Sequence, residues 1–148
     1  MQAIGTWKGG FESVLEDGRA HSVVVDLPVH EGGHSAGTSP LELCILSLAG
    51  CITTTFALVA HKRHLSYQGL TVALEGERPP GSPTISRVRG SLRVRSRADR
   101  TEIETILRLT LKTCPVGVIF ERAHIPVDVQ LIITLPSSVA LPFEPPTS

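Results

Sequence analysis

The feature that most constrains this chain is an uncharged run, Leu43 to Ala60, that follows a strong helix start. Ser39 is a good N-cap, Pro40 suits the first helical position, and Glu42 completes a Ser-x-x-Glu capping box. Basic residues from Lys62 to His64 favour the C-terminal end, so the predicted helix is about 37 Å long. A run of this length reaches the lower limit for a membrane span. Ser47, Gly50, Thr53, Thr54 and Thr55 lower its hydrophobicity, and it stands alone among predicted strands, so we read it as a buried central helix and expect no membrane partner. A helix apolar all round needs cover all round. A chain of 148 residues supplies little of it, which predicts a homodimer in which two chains enclose two such helices.

The rest of the chain alternates as strands and shorter helices. Gln2–Lys8, Phe11–Glu16 and His21–Asp26 read as short strands separated by the turn signals Gly9-Gly10 and Asp17-Gly18. Leu27–Thr38, rich in Gly, Pro and His, reads as a loop. Leu70–Glu77 and Thr84–Arg97 form a predicted hairpin around a Pro-rich turn, Arg78–Pro83. Asp99 or Thr101 can cap a second helix ending near Lys112, Pro115 opens a short one to about Ala123, and Val127–Leu135 is a last strand. One domain is predicted over residues 1–135, with 136–148 a Pro- and Ser-rich tail.

Along the second hairpin strand, Arg87, Arg89, Arg93, Arg95 and Arg97 share one face, opposite Val88, Leu92 and Val94. Such a stripe could bind a polyanion, but the formal net charge is zero, which argues against nucleic acid as the main partner. We read it as a solvated sheet face opposite Glu75 and Glu77. Met1 to Gly5 lacks a basic segment followed by an apolar run. Three cysteines are too few for a secreted disulfide framework. Together these predict a cytoplasmic location.

The cysteines carry the chemistry. A thiol reacts as its thiolate and needs surroundings that favour the anion. Cys114, just before Pro115, can cap the helix that Pro115 opens, where free N–H groups favour negative charge. Cys51 lies mid-helix and needs a cation or donors from elsewhere, for which His30, His34 and Arg19 are candidates. Cys44 sits seven residues before Cys51, about 10 Å along the axis and beyond disulfide reach. If Cys51 has an intrachain disulfide partner, Cys114 is the better candidate; the bland alternative is that both are small core residues. His61 and His64 at the helix end, with His30, His34 and the thiols, suggest a soft metal site, but the tight ligand spacings are missing and no metal is expected.

Two motifs carry a resemblance. Gly33-His34-Ser35-Ala36-Gly37-Thr38-Ser39-Pro40-Leu41-Glu42-Leu43, followed by Ser47-Leu48-Ala49-Gly50-Cys51, resembles the first signature of the OsmC/Ohr family, and Cys114-Pro115-Val116 resembles the second. The element order agrees over roughly Gln2 to Leu135. The resemblance implies an α+β fold of antiparallel sheets wrapped around a long buried central helix, as an intertwined homodimer with two interface active sites. It implies a thiol peroxidase: Cys51 attacks an organic hydroperoxide, Cys114 condenses with the resulting sulfenic acid, and an external thiol, of dihydrolipoyl type in known members, reduces the disulfide. It implies no metal or organic cofactor.

This chain also departs from the family pattern. Phe11 follows Gly9-Gly10 where one branch has an arginine, and Glu31, beside His30, stands where another branch places its own. Leu41 replaces a common glutamate, Glu42 takes the next position, and Gly117 stands where many members have serine. Arg19, His30 and Glu42 are therefore accessory candidates only. The competing expectation is a non-catalytic protein of the same fold that holds a small apolar ligand in the interface cleft.

Overall fold

The computed structural model describes residues 1–136; all of the predicted tail beyond Pro136 lies outside the described residues. In chain order the elements are β1 (Ile4–Gly9), β2 (Glu12–Glu16), β3 (Ser22–Val25), a 3₁₀ turn (Val29–Glu31), α1 (Pro40–Lys62), β4 (Gly69–Glu77), β5 (Arg87–Arg95), α2 (Arg100–Thr113), α3 (Pro115–Arg122) and β6 (Val127–Thr134). The strands form two separate three-stranded sheets, β1-β2-β3 and β4-β5-β6. The fold is α+β, as the sequence predicts, and each predicted element is present.

The helix starts follow the local chemistry. Ser39 Oγ accepts from the Glu42 N–H at 3.2 Å, and Glu42 accepts from the Ser39 N–H at 2.7 Å, so the capping box is complete. Asp99 caps α2 through the Thr101 N–H.

One stripe of α1 makes the core. Leu48, Ile52, Phe56 and Ala60 recur every fourth residue and are buried, in one cluster with Val88, Leu92 and Val94 of β5 and Ile103 and Ile106 of α2. Phe56 meets Tyr67 edge to face, ring centroids 6.0 Å apart. The flanks at Leu41, Ile45, Cys51 and Val59 are partly buried against this core, and on the far side of α1 Leu46 and Leu58 are exposed, in line with the expectation that one chain supplies little cover for this helix. One expectation needs correction. The second sheet is not wholly antiparallel: β4 pairs with β5 antiparallel, but β6 pairs with β5 in parallel. The return through α2 and α3 brings the chain back to the same end before β6 begins, which is what a parallel neighbour requires.

The loop from β3 to α1 is built on Asp26, which is buried. Its carboxylate accepts from the backbone N–H groups of Leu27 (2.8 Å), His34 (2.9 Å) and Ala36 (3.1 Å). These bonds, led by that of Ala36, hold the Asp26 carboxyl below its ordinary range. Gly33 and Gly37 are required here because a side chain at either would collide with the Leu27 or Val24 carbonyl oxygen.

Candidate functional site

Cys51 lies in the third to fourth turn of α1, partly buried, where the helix flank next to the core stripe faces the α2–α3 junction. That junction is Cys114, which is fully buried and ends one helix while starting the next. Its N–H donates to the Thr110 carbonyl of α2 at 2.8 Å, and its sulfur accepts from the Gly117 N–H of α3 at 3.3 Å. Pro115 at the first helical position makes the abrupt second start possible. The two sulfurs, 63 residues apart in the chain, are 2.8 Å apart, with the Cys114 thiol donating to Cys51 Sγ; both cysteines are free. Thr55, one turn on, places its hydroxyl 4.0 Å from Cys51 Sγ.

The N-cap position was expected to favour the Cys114 anion. The cap is present, but it is outweighed. Burial, and then the hydrogen bond to Cys51, push the Cys114 thiol up from an ordinary 9.0 to about 11, against the smaller effect of the Gly117 N–H. Cys114 therefore holds its proton at neutral pH and offers it to Cys51. Of the two sulfurs, that of Cys51 is the more accessible.

The accessory candidates do not join this pair within one chain. Arg19 is bound in its own turn to Asp17, at 2.8 Å, with His21 on the same carboxylate. Glu42 is committed to its capping box and also accepts from the Thr38 hydroxyl. The Ser39 N–H is the main reason that its carboxyl titrates below the usual range. It lies nine residues before Cys51, about 13 Å along the axis. His30 is exposed in the 3₁₀ turn and shares a cavity of about 950 Å³ with Glu42 and the exposed Cys44. Among the described residues, no three His, Cys, Asp or Glu side chains gather as a metal-binding group. A second cavity, of about 670 Å³, reaches the Cys114 side of the pair between Leu48, Ile52, Gly117 and His124. Asp26 escaped the sequence reading; its one signal is an acid closing a strand before a loop with two required glycines.

A model of the OsmC-like protein family matches residues 32–130, a span that holds both cysteines. No curated protein gives a significant sequence match. Among solved structures, an OsmC-like protein from Mycoplasma pneumoniae superposes with a TM-score of 0.77 at 18% identity, covering 90% of this chain and 95% of that one. An organic hydroperoxide resistance protein OsmC from Legionella pneumophila gives 0.69 at 18% identity, with 90% and 97% covered. An organic hydroperoxide resistance protein from Elizabethkingia anophelis gives 0.68 at 16%, with 92% and 97% covered. At such identities the likeness speaks to fold.

Proposed function

We propose that this chain, which belongs to the OsmC-like protein family, is a thiol-dependent hydroperoxide reductase working as a homodimer. The observation that carries the reading is the Cys51–Cys114 contact at 2.8 Å between a partly accessible sulfur and a buried one that keeps its proton. The names of the hydroperoxide resistance proteins among its structural neighbours point the same way.

In the proposed cycle the Cys51 thiolate attacks the terminal oxygen of a hydroperoxide. The O–O bond breaks, the sulfur takes the hydroxyl as a sulfenic acid, and the alkoxide leaves and takes up a proton to become the alcohol. The Cys114 sulfur then attacks the Cys51 sulfur. Its proton departs with the hydroxyl as water, and a disulfide remains. An external dithiol, of dihydrolipoyl type, reduces that disulfide and is itself oxidised to a disulfide, restoring both thiols. Because the two sulfurs already touch, condensation needs little rearrangement. The second copy is supported by the apolar surface that one chain leaves open, discussed below. It is also a further source of a cation for Cys51, since in one chain Arg19 is engaged by Asp17 and His30 lines a different cavity, while Lys112 and His124 line the cavity on the Cys114 side.

The test is stopped-flow consumption of cumene hydroperoxide by the reduced protein. Wild type should consume peroxide, and Cys51→Ser should abolish consumption. Cys114→Ser should complete one turnover and leave a sulfenic acid that dimedone captures. A fully reduced wild type that leaves the peroxide untouched would sink the reductase reading and promote the alternative, a ligand-binding protein of the same fold.

A further inference from the structure

The outward face of the second sheet is electrically lopsided. At one end the strand register sets Glu77 opposite Arg87, and both Glu75 and Asp128 opposite Arg89. Arg89 pairs with Glu77 at 3.1 Å and Arg87 with Asp128 at 3.7 Å. At the other end the neighbours change. Arg93 stands between Thr71 and Ile132, and Arg95 between Gly69 and Thr134, so neither adjacent strand offers a carboxylate. Arg93, Arg95 and Arg97 are all exposed.

Two further features belong to this end. A side chain at Gly69 would come within 3.0 Å of an Arg95 guanidinium nitrogen, so the guanidinium lies close against the β4 backbone. Arg95 and Arg97 also line a cavity of about 280 Å³ with Ser66, Tyr67 and Gln68, the segment leading into β4. Among the described residues, carboxylates thus pair with the arginines at one end of this face, and none pairs with Arg93, Arg95 or Arg97 at the other.

We propose that the Arg93–Arg95–Arg97 end of this sheet is a docking face for a carboxylate-rich surface of a partner protein. Arg93 and Arg95 stand two residues apart on β5, about 6.7 Å along the strand, and Arg97 follows just past the end of the strand. An extended segment with alternating Asp or Glu has the same period, and each guanidinium can grip a carboxylate with two N–H groups. Nucleic acid fits less well. The strand positions beside Arg93 and Arg95 are Thr71, Gly69, Ile132 and Thr134, and the aromatic ring that lines this end, Tyr67, is half-buried edge to face against Phe56 rather than free to stack on a base. The neutral chain supplies no wider positive field. A patch this small suits a transient, salt-sensitive encounter.

The experiment uses the whole protein and labelled poly-L-glutamate, read by fluorescence anisotropy at about 50 mM salt. There the Debye length, roughly 14 Å, is shorter than the ~26 Å between Arg87 and Arg95 along the strand. Wild type should bind, and binding should weaken steadily as salt rises. The pair Arg95→Gln with Arg97→Gln should weaken it about tenfold. Arg87→Gln with Arg89→Gln, one half-buried, one exposed and both already paired, should change it less than about twofold. All four are surface substitutions that leave the core intact, which circular dichroism checks. Equal loss from both pairs, or no binding by wild type, overturns the proposal. Tighter binding of an oligothymidylate than of poly-L-glutamate overturns it in favour of a nucleic-acid face.

Discussion

The two sheets contain the same number of strands and have opposite fates. On β4-β5-β6 the inward residues Val88, Leu92 and Val94 are wholly buried in the cluster that α1 and α2 complete. On β1-β2-β3 only Val25 is buried, while Trp7 is 71% exposed and Phe11 55%. Among the described residues, the first sheet pairs within itself and its strand pairing with the rest of the chain is one bridge, Val25 to Thr38. Three strands without cover are a poor stand-alone unit, because strand pairing alone does not offset the entropy of ordering them. The open side of α1, with Leu46 and Leu58 more than half exposed, poses the same problem. One sheet is stabilised by this chain, and the other leaves apolar residues open that the described residues do not cover. A second copy would cover both open surfaces at once, and that is the reason for proposing a dimer.

The sharpest contrast comes from removing one aromatic side chain on each side of this divide. Phe56 is fully buried at the centre of the core. Phe56→Ala should cost about 3–5 kcal/mol, seen as a large fall in the denaturant midpoint, with a loss that does not vary with protein concentration. Trp7→Ala is the counterpart. At 71% exposure it should cost under about 0.5 kcal/mol if one chain is the whole folding unit. If a second copy covers the ring, the loss should reach roughly 2 kcal/mol and the melting temperature should rise with concentration. Sedimentation decides the matter independently. A wild type that runs as a monomer, with a neutral Trp7→Ala, would end the dimer reading and leave the first sheet unexplained.

What could be read from the sequence follows the same divide between local and distant information. The capping box of Ser39 and Glu42, the turn glycines and the alternation in β5 are local patterns, and the elements they predict are where they should be. The direction of β6 was not legible, since alternation has the same period in parallel and antiparallel strands; only the α2–α3 return decides it. The Cys51–Cys114 contact joins residues 63 apart. Spacing could make Cys114 the better partner by ruling out Cys44, but only resemblance gave the pair roles. Arg19 and His30 are candidates because Cys51 needs a cation, and Glu42 because it stands beside the position of a common family glutamate. Each instead answers to its own neighbourhood: a turn acid, a loop cavity and a cap. Asp26 was missed because its partners are backbone N–H groups up to ten residues away, which no side-chain pattern announces.

Asp26 also gives the smallest and most local of these effects, at the hinge between the two sheets. Its carboxylate ties Leu27, His34 and Ala36 together, and so fixes the loop that delivers Ser39 to its capping position. The three N–H bonds favour the ionised form, so the folded pKa lies below the unfolded one. The sign follows from linkage. The stabilisation is fully present above the unfolded value, about 3.9, and is lost as pH falls through the lower folded value. Amide-exchange protection at His34 and Ala36 should therefore be high at neutral pH and fall in acid, ahead of the core amides of β5. Asp26→Asn keeps one acceptor oxygen but introduces N–H donors where donors already point. It should lower that protection at neutral pH and remove its acid dependence, while the β5 amides barely change. If β5 loses protection in step with the loop, then Asp26 does not stabilise the loop locally. The loop and the second sheet would then be one cooperative unit, and the division would lie at the start of the loop, after β3.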